Sequence, residues 1–258
     1  MKKISVVTIP LKKIIAIALT AALILTMSAY AKSSGAYTVY YNVSTKKTPI
    51  YSVATDEKKI AISFDCAWGV EKTDGLIEVM DFFGVKCTFF MTEFWVKKYP
   101  EYVKKIHESG HEAGTHSSTH PHMSALNEDA MKRELETSTK AIEAITSEKV
   151  ILFRPPFGDY DDALLKECEK QGLYAVQWDV DSLDWKDISA REIADRIISR
   201  VKNGSIILCH NNAKNTLEAL PLVFSVLQNR GYKFVKISEL IYKDNFIIDG
   251  TGKQIKQN

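Results

Sequence analysis

Short apolar runs alternate with longer segments of mixed polarity along the chain from residue 58 onward. The short runs, rich in Val, Ile and Phe, predict buried strands, while apolar residues that recur every three or four positions predict amphipathic helices. Several helical segments end at a glycine, as at Gly84 and Gly172. The predicted strands are residues 60–64, 86–91, 112–115, 150–153, 174–178, 205–208 and 233–237, and the predicted helices are residues 75–83, 99–108, 127–145, 161–171, 190–202 and 216–230.

This alternation predicts an α/β fold. Strand–helix–strand units at this spacing indicate parallel strands with helices packed outside them. The succession of units favours a closed or nearly closed (β/α)7-type barrel in a single domain, and a doubly wound open sheet is the alternative. We expect this domain to cover residues 58–242, between an N-terminal arm at residues 32–57 and a polar tail at residues 243–258.

The N-terminus has the layout of an export signal. Four lysines within the first 13 residues precede an uncharged apolar run, and Ala29, Tyr30 and Ala31 follow it. The apolar run is shorter than the ~20 residues that a membrane span needs. We therefore expect residues 1–31 to be a signal peptide, with an N-terminal membrane anchor as the alternative, and the protein to be exported.

The net charge and the cysteine content bear on two questions: whether the protein binds nucleic acid, and whether disulfides hold its fold together. The formal net charge of +2 depends on the four lysines of the first 31 residues, and the rest of the chain has 30 basic and 32 acidic side chains. Nothing in this balance favours a nucleic-acid partner. Four cysteines are too few for a disulfide scaffold, and their apolar surroundings predict buried small side chains, with a disulfide as the alternative.

Polar clusters follow five of the predicted strands. The strand ends of a β/α barrel meet at one face, where several strands together supply the catalytic groups. We therefore expect these clusters to converge on one site. Taken together, the residues of the clusters indicate a metal-assisted hydrolase. The principal residues of the clusters are Asp65, His116 with His120, Arg154, Asp184 and His210.

His116 and His120 form the candidate metal-binding pair. Pro121 disfavours helical geometry at His120, so the pair is predicted on the loop after the third strand. Neutral imidazoles are common zinc ligands, although an isolated pair of this spacing is a weak signal. The Cys66 thiolate would be a soft third ligand, and a partly buried thiol is the alternative. The predicted cofactor is zinc or another divalent cation such as cobalt.

Two strand-end groups are candidates for activating and stabilising the reacting atoms. Asp65 would deprotonate a metal-bound water, or else it caps a turn. Arg154 would hold a carboxylate, and the rigid elbow at Pro155–Gly158 would point a backbone N–H at a developing oxyanion. The alternative is a structural loop with a surface arginine.

The last two clusters suggest a general acid and its support. His210 would protonate a leaving amine, or else it is a polar cap at a strand end. Asp184 would orient a histidine and raise its pKa, with Trp185 as an apolar wall; the alternative is an acidic turn beside a core tryptophan. His107 and His122 are predicted at the surface, and His111 at the start of a strand.

In this order, the five segments resemble the polysaccharide deacetylases of carbohydrate esterase family 4, the NodB-homology fold, over about residues 58–241. The resemblance implies a distorted β/α barrel that uses a divalent metal to remove acetyl groups from polysaccharides. The resemblance implies that Asp65 is the catalytic base, that Arg154 supports this base, and that His116 and His120 are metal ligands. It implies that the Phe157 backbone N–H belongs to the oxyanion hole, at a position where the family usually has tyrosine. Asp184 and Trp185 match the fourth motif of the family, and Leu208 and His210 match the fifth, with His210 as the catalytic acid.

One departure from the family pattern concerns the metal. The first motif usually reads T-F-D-D-G with a metal-bound second aspartate, whereas Cys66 stands at that place here. The F-D-x-x-W-G variant resembles a sporulation-associated branch, which implies a peptidoglycan glycan strand as substrate and a location in the cell wall or spore envelope. We expect an N-deacetylase in sporulation or cortex formation, with Trp68, Trp185 and Tyr160 against sugar faces. The alternative is a catalytically impaired glycan-binding or structural cell-wall protein.

Overall fold

The computed structural model describes residues 10–33 and 47–257 of the 258-residue chain. The chain divides into two units, residues 1–45 and 46–258. In the first unit the described residues form one helix, α1 (Leu11–Ser33). No helix of the described ranges is both long and apolar enough to cross a membrane. The predicted signal segment and the predicted arm lie partly outside the described residues.

A curled sheet of parallel strands forms the centre of the second unit. In chain order the strands of the unit are β1 (Ser52–Val53), β2 (Lys59–Cys66), β3 (Thr88–Met91), β4 (Glu112–Thr115), β5 (Leu152–Phe153), β6 (Tyr174–Ala175), β7 (Val180–Asp181), β8 (Ile206–His210), β9 (Lys233–Phe234), β10 (Phe246–Ile248) and β11 (Lys253–Lys256). The strands of the central sheet run in the order β6-β5-β4-β3-β2-β8-β7, and β9 pairs with the start of β2. This is the parallel β/α architecture that the alternating pattern predicts.

Helices pack on the outside of this sheet and agree with the six predicted ones. The helices are α2 (Thr73–Phe83), α3 (Glu93–Lys98), α4 (Pro100–Glu108), α5 (Glu128–Thr146), α6 (Asp162–Gln171), α7 (Ala190–Arg200), α8 (Thr216–Asn229) and α9 (Ile237–Leu240). Asn127 caps α5, since its side chain accepts a hydrogen bond from the backbone N–H of Ala130. Two of these helices, α3 and α9, were not predicted, because they are too short to show a helical period in the sequence.

The predicted polar tail contains two strands. β10 and β11 pair with each other, and β11 also pairs with β1, which lies within the predicted arm. The buried Gln254 side chain accepts a hydrogen bond from the Tyr242 backbone N–H and donates one to the Tyr242 carbonyl oxygen. Nearby, Ile50 pairs with Val176 beside β6. These contacts join both ends of the unit to its sheet, which the polar composition of the tail does not indicate.

The two faces of β2 meet different surroundings. Phe64 and Cys66 belong to the large apolar cluster that the helices cover, whereas Ala61 belongs to a smaller cluster with Phe90. Successive side chains of a strand point to opposite faces. Asp65 therefore lies on the face opposite Cys66, at the carboxyl end of the strand. All four cysteines are buried and unpaired, as predicted.

Candidate active site

Strand register brings the predicted residues to one edge of the sheet. Asp65 at the end of β2 lies opposite His210 at the end of β8. On the other side, β3 pairs with β4, which leads directly into His116, and the backbone N–H of Arg154 donates to Thr115 at the end of β4. Residues that are up to 145 positions apart in the sequence therefore meet at one rim.

Asp65 and Arg154 form a buried ion pair at the centre of this rim. An Arg154 Nη1 donor lies 2.8 Å from Asp65 Oδ1, and the other terminal nitrogen donates to the Gln177 carbonyl oxygen at 3.1 Å. The guanidinium also lies over the Phe90 ring. Arg154 is fully buried, so the alternative of a surface arginine is wrong. Burial raises the pKa of Asp65, but the nearby positive groups, above all Arg154, outweigh this effect and lower it.

His116 and His120 lie side by side on the loop after β4, as predicted, with ring centroids 4.9 Å apart. His116 Nδ1 lies 2.8 Å from the carbonyl oxygen of Arg154. A carbonyl can only accept, so Nδ1 carries the proton and the neutral ring keeps a lone pair on Nε2. Nε2 in turn is 3.5 Å from Asp65 Oδ2.

Both imidazoles of the pair are neutral near pH 7. Burial lowers the pKa of His116, and the opposing charge of Asp65 does not restore it. Burial, together with the neighbouring His116, lowers the pKa of His120 to about 4. A neutral imidazole is the form that binds a metal ion. The pair is therefore held in the protonation state that a metal ligand needs.

His210 and Asp184 form a second pair on the other side of Asp65. His210 Nδ1 lies 2.7 Å from Asp184 Oδ1, and the His210 backbone N–H and the Thr216 hydroxyl both donate to Oδ2. Burial lowers the pKa of His210, but the hydrogen bond and charge of the buried Asp184 outweigh this effect and raise it. Because the buried Asp184 carboxylate holds the His210 ring, His210 is not only a polar cap at a strand end, and Asp184 is not only part of an acidic turn.

The elbow after β5 presents an exposed aromatic ring to this rim. Phe157 has a φ of +59°, in the left-handed region that non-glycine residues rarely adopt. Its ring lies 4.6 Å from that of His120 and stacks on His122 at 4.3 Å. The Gln177 side chain donates to the Gly158 carbonyl oxygen and fixes the elbow. His122 is exposed, as predicted, and its ring stacks on Phe157 beside the rim.

The predicted substrate-facing aromatic residues differ in their surroundings. Trp68 and Trp185 are 66% and 55% exposed, so each has a free surface for a ligand. The Tyr160 side chain instead forms a hydrogen bond with Tyr51 and packs against the core. Leu208 is buried within β8. Trp68 and Trp185 thus remain candidates for stacking on sugar, whereas Tyr160 is occupied by its neighbours.

Two side chains that the sequence does not single out fix the loop of Trp68. Trp95 Nε1 and Asn211 Nδ2 both donate to the Gly69 carbonyl oxygen, at 2.8 and 2.9 Å. Asn211 directly follows His210, and this adjacency was the available signal for its role. No comparable signal marks Trp95, because α3 is not visible as a helix in the sequence.

Cys66 does not join the histidine pair. Its side chain is fully buried in the apolar core, and burial raises the pKa of the thiol well above its ordinary range. Within residues 10–33 and 47–257, no three His, Cys, Asp or Glu side chains form a group that could hold a metal ion. His116 and His120 fit a divalent metal in donor type, protonation state and proximity, whereas Cys66 is the buried thiol of the alternative interpretation and not a third ligand.

A β/α barrel that gathers a carboxylate, two neutral imidazoles and a histidine–aspartate pair at its strand ends has the active site of an acid–base hydrolase. The sequence model of the polysaccharide deacetylase family matches residues 52–176. A peptidoglycan-N-acetylglucosamine deacetylase of Bacillus cereus is 31% identical over 196 residues, which cover 74% of this chain and 92% of that protein. The chain therefore belongs to the polysaccharide deacetylase family.

Other relatives agree with this assignment. The peptidoglycan-N-acetylmuramic acid deacetylase PdaA of Bacillus subtilis is 31% identical over 202 residues, 77% of each chain. The chain also spans 62% of the length of an uncharacterized Bacillus subtilis protein, YlxY, at 30% identity.

Solved structures confirm the NodB-like barrel of carbohydrate esterase family 4. A pseudoenzyme of this family from Bacillus anthracis has a TM-score of 0.73 at 31% identity, covering 81% of this chain and 73% of that one. A mutant of that pseudoenzyme with restored enzymatic activity gives the same TM-score at 34% identity, covering 76% and 71%.

Proposed function

We propose that the protein is an exported, metal-dependent deacetylase that hydrolyses N-acetyl groups of cell-wall peptidoglycan during sporulation or cortex formation. The observation that carries this proposal is the position of Asp65 between Arg154, His116 and His210 at one rim. Relatives named as deacetylases of peptidoglycan N-acetylglucosamine and N-acetylmuramic acid support the substrate class. The F-D-x-x-W-G variant of the first motif supports the link to sporulation.

The residues divide the reaction among them. A divalent metal, zinc or cobalt, held by His116 and His120 would supply Lewis-acid activation of water and of the acetamide carbonyl. Asp65, ionised at neutral pH, accepts the proton of the attacking water. The Phe157 backbone N–H donates to the oxyanion that forms as water adds to the carbonyl. The C–N bond then breaks, acetate leaves, and His210 protonates the departing sugar amine.

Arg154 and Asp184 support the two proton-transfer groups. Arg154 keeps Asp65 ionised and oriented through the 2.8 Å ion pair, and Asp184 holds the Nδ1 proton of His210. This leaves His210 Nε2 for proton donation. Trp68 and Trp185 would pack against the sugar rings, since exposed aromatic faces suit the apolar faces of a pyranose.

Acetate release from purified peptidoglycan tests the proposal. We expect the wild-type protein to release acetate, chelation to stop the release, and added zinc or cobalt to restore it. Asp65→Asn and His116→Ala should abolish activity, while Asp56→Asn at an exposed position should not change it. Release of acetate that survives both site changes would refute the mechanism.

A glycan-binding protein with an impaired site is the second candidate. Two observations favour it: Cys66 lies in the core where the family has a metal-bound carboxylate, and the chain is similar to a pseudoenzyme of the same family. This candidate predicts firm binding to peptidoglycan without zinc after gentle purification and without acetate release. Stoichiometric zinc together with acetate release would eliminate it.

A further inference from the structure

The loop that joins the two candidate metal ligands is held from outside by two carboxylates: that of Glu93 on α3 accepts a hydrogen bond from the Ser118 hydroxyl, and that of Glu134 on α5 accepts three hydrogen bonds from the loop. We propose that Glu134 is a positioning residue that fixes the separation of the His116 and His120 imidazoles for metal binding. The inference rests on the metal-binding part of the proposed function. It does not depend on the substrate or on the deacetylation step.

The loop adopts a backbone conformation that it would not keep unaided. Ser117 and His120 have φ values of +72° and +60°. Non-glycine residues rarely enter this left-handed region, and they persist there only where the surroundings impose it. Within the loop, one hydrogen bond runs from the His120 N–H to the Ser117 hydroxyl. The remaining restraint must come from neighbouring elements.

Glu134 supplies the densest of these external restraints. Its Oε2 accepts hydrogen bonds from the backbone N–H groups of Ser118 and Thr119 at 2.8 and 2.7 Å, and its Oε1 accepts one from the Thr119 hydroxyl at 2.7 Å. Hydrogen bonds to an ionised carboxylate are stronger than neutral ones. All three donors lie between the two histidines in the sequence, so the carboxylate fixes the segment that sets their separation.

The carboxylate is itself attached to a rigid part of the fold. Glu134 lies in the middle of α5, next to the fully buried Leu135. One turn later, the buried Ser138 hydroxyl forms a hydrogen bond with that of Thr115 at the end of β4. Since β4 leads into His116, direct hydrogen bonds join α5 both to this strand and to the histidine loop. Glu134 therefore holds the loop relative to the strand that carries the first ligand.

The chain offers a matched control on the same helix. Glu136 lies two residues further on, and its salt bridges are to Lys132 and Lys140 within α5. Glu134→Ala removes all three hydrogen bonds to the loop, whereas Glu134→Gln keeps one carbonyl acceptor and loses the charge. Glu136→Ala removes a carboxylate of the same helix without touching the loop.

Zinc affinity of the purified protein, measured by competition with a chromophoric chelator, is the decisive readout. We expect Glu134→Ala to weaken zinc binding about 10- to 100-fold, the usual effect of removing a group that orients a ligand. Glu134→Gln should be intermediate, and Glu136→Ala should match wild type. Amide hydrogen exchange of the metal-free protein should be faster at Ser118 and Thr119 in Glu134→Ala alone.

Each other outcome decides the question as well. Unchanged zinc affinity in folded Glu134→Ala, even with a lowered melting temperature, would overturn the inference, because Glu134 would then act on stability only. Absence of zinc binding by the wild-type protein would overturn it too. Zinc binding without acetate release would refute the proposed deacetylase activity and leave the role of Glu134 intact.

Discussion

The surroundings on the two sides of the rim shift the pKa of histidine in opposite directions. His116 and His120 lie on the β4 side, where burial lowers the pKa of both. His210 lies on the β8 side, where Asp184 raises its pKa. Asp65 stands between the two sides and contributes to both. The difference shows that the partner atom decides whether burial lowers the pKa of a histidine of this site or is outweighed.

The partners explain the contrast in physical terms. His116 Nδ1 donates to a neutral carbonyl oxygen, which orients the ring without stabilising a positive charge strongly. His210 Nδ1 meets a fully buried carboxylate at 2.7 Å, which favours the imidazolium. Replacing a single partner side chain should therefore shift the pKa of a histidine on one side toward that of the histidines on the other side.

The largest expected effect on activity comes from changing Asp184, the carboxylate partner of His210. Asp184→Asn keeps the shape of the side chain but removes the charge, so we expect kcat for acetate release to fall by about 10²–10⁴, the range for general acid–base catalysis. The exposed Asp187→Asn in the same segment should retain wild-type kcat. A loss of less than about threefold in Asp184→Asn would mean that His210 does not depend on this carboxylate.

The pH profile sharpens the same comparison. His210 must be protonated to act as the acid, and its pKa is raised, so kcat/KM should fall as pH rises through that raised pKa, above the ordinary histidine value. In Asp184→Asn the carboxylate charge is gone, so the alkaline limb of the residual activity should move to lower pH. An alkaline limb that stays in place would show that another group titrates there.

Cys66 tests the contrast between the two faces of β2. Cys66→Ser places a hydroxyl in the apolar core, so we expect the free energy of unfolding to fall by about 1–3 kcal/mol in chemical denaturation. Zinc affinity should stay within about twofold of wild type, because the side chain points away from the histidines. Cys66→Ala, which adds no polar group, should leave zinc affinity equally unchanged. A tenfold loss of affinity in both variants would make Cys66 a ligand.

The smallest effects should come from the exposed aromatic rings on the two sides. Trp68→Ala and Trp185→Ala should each raise KM for a glycan about 2- to 10-fold, the equivalent of ~0.5–1.5 kcal/mol of aromatic contact. The kcat of Trp185→Ala should change little, because the ring lies beside Lys186. Trp68→Ala should also lower kcat, because the Trp68 ring packs edge-on against His120 with ring centroids 5.0 Å apart. Phe82→Ala, which is 82% exposed on α2, is the matched control. An unchanged KM in both tryptophan variants would remove these rings from the substrate site.

Much of the site could be predicted because its residues follow strands. The period of the apolar runs gave the strand ends, and the rule that parallel strands end at one face placed Asp65, Arg154 and His210 together. Pro121 correctly indicated that the histidine pair lies on a loop. The sequence left Cys66 open between a third metal ligand and a buried thiol, and the structure decides for the buried thiol because alternation along β2 turns Cys66 and Asp65 to opposite faces.

Other features had no local signal. The strand β11 pairs with β1, which lies 201 positions earlier (Ser52 opposite Lys253), and no local pattern encodes this pairing. Glu134 looked like any polar residue of an amphipathic helix. Its three hydrogen bonds exist only because α5 packs beside the loop that follows β4.

The sequence by itself determined the order of strands and helices and the residue types at each strand end, because both are written in local hydrophobic period and in short motifs. Only the tertiary structure decided the directions in which the pKa values of His116, His120 and His210 shift, the burial of Arg154 and Cys66 and the restraint on the histidine loop. Those properties depend on the dielectric surroundings and on partners that folding brings from distant parts of the chain.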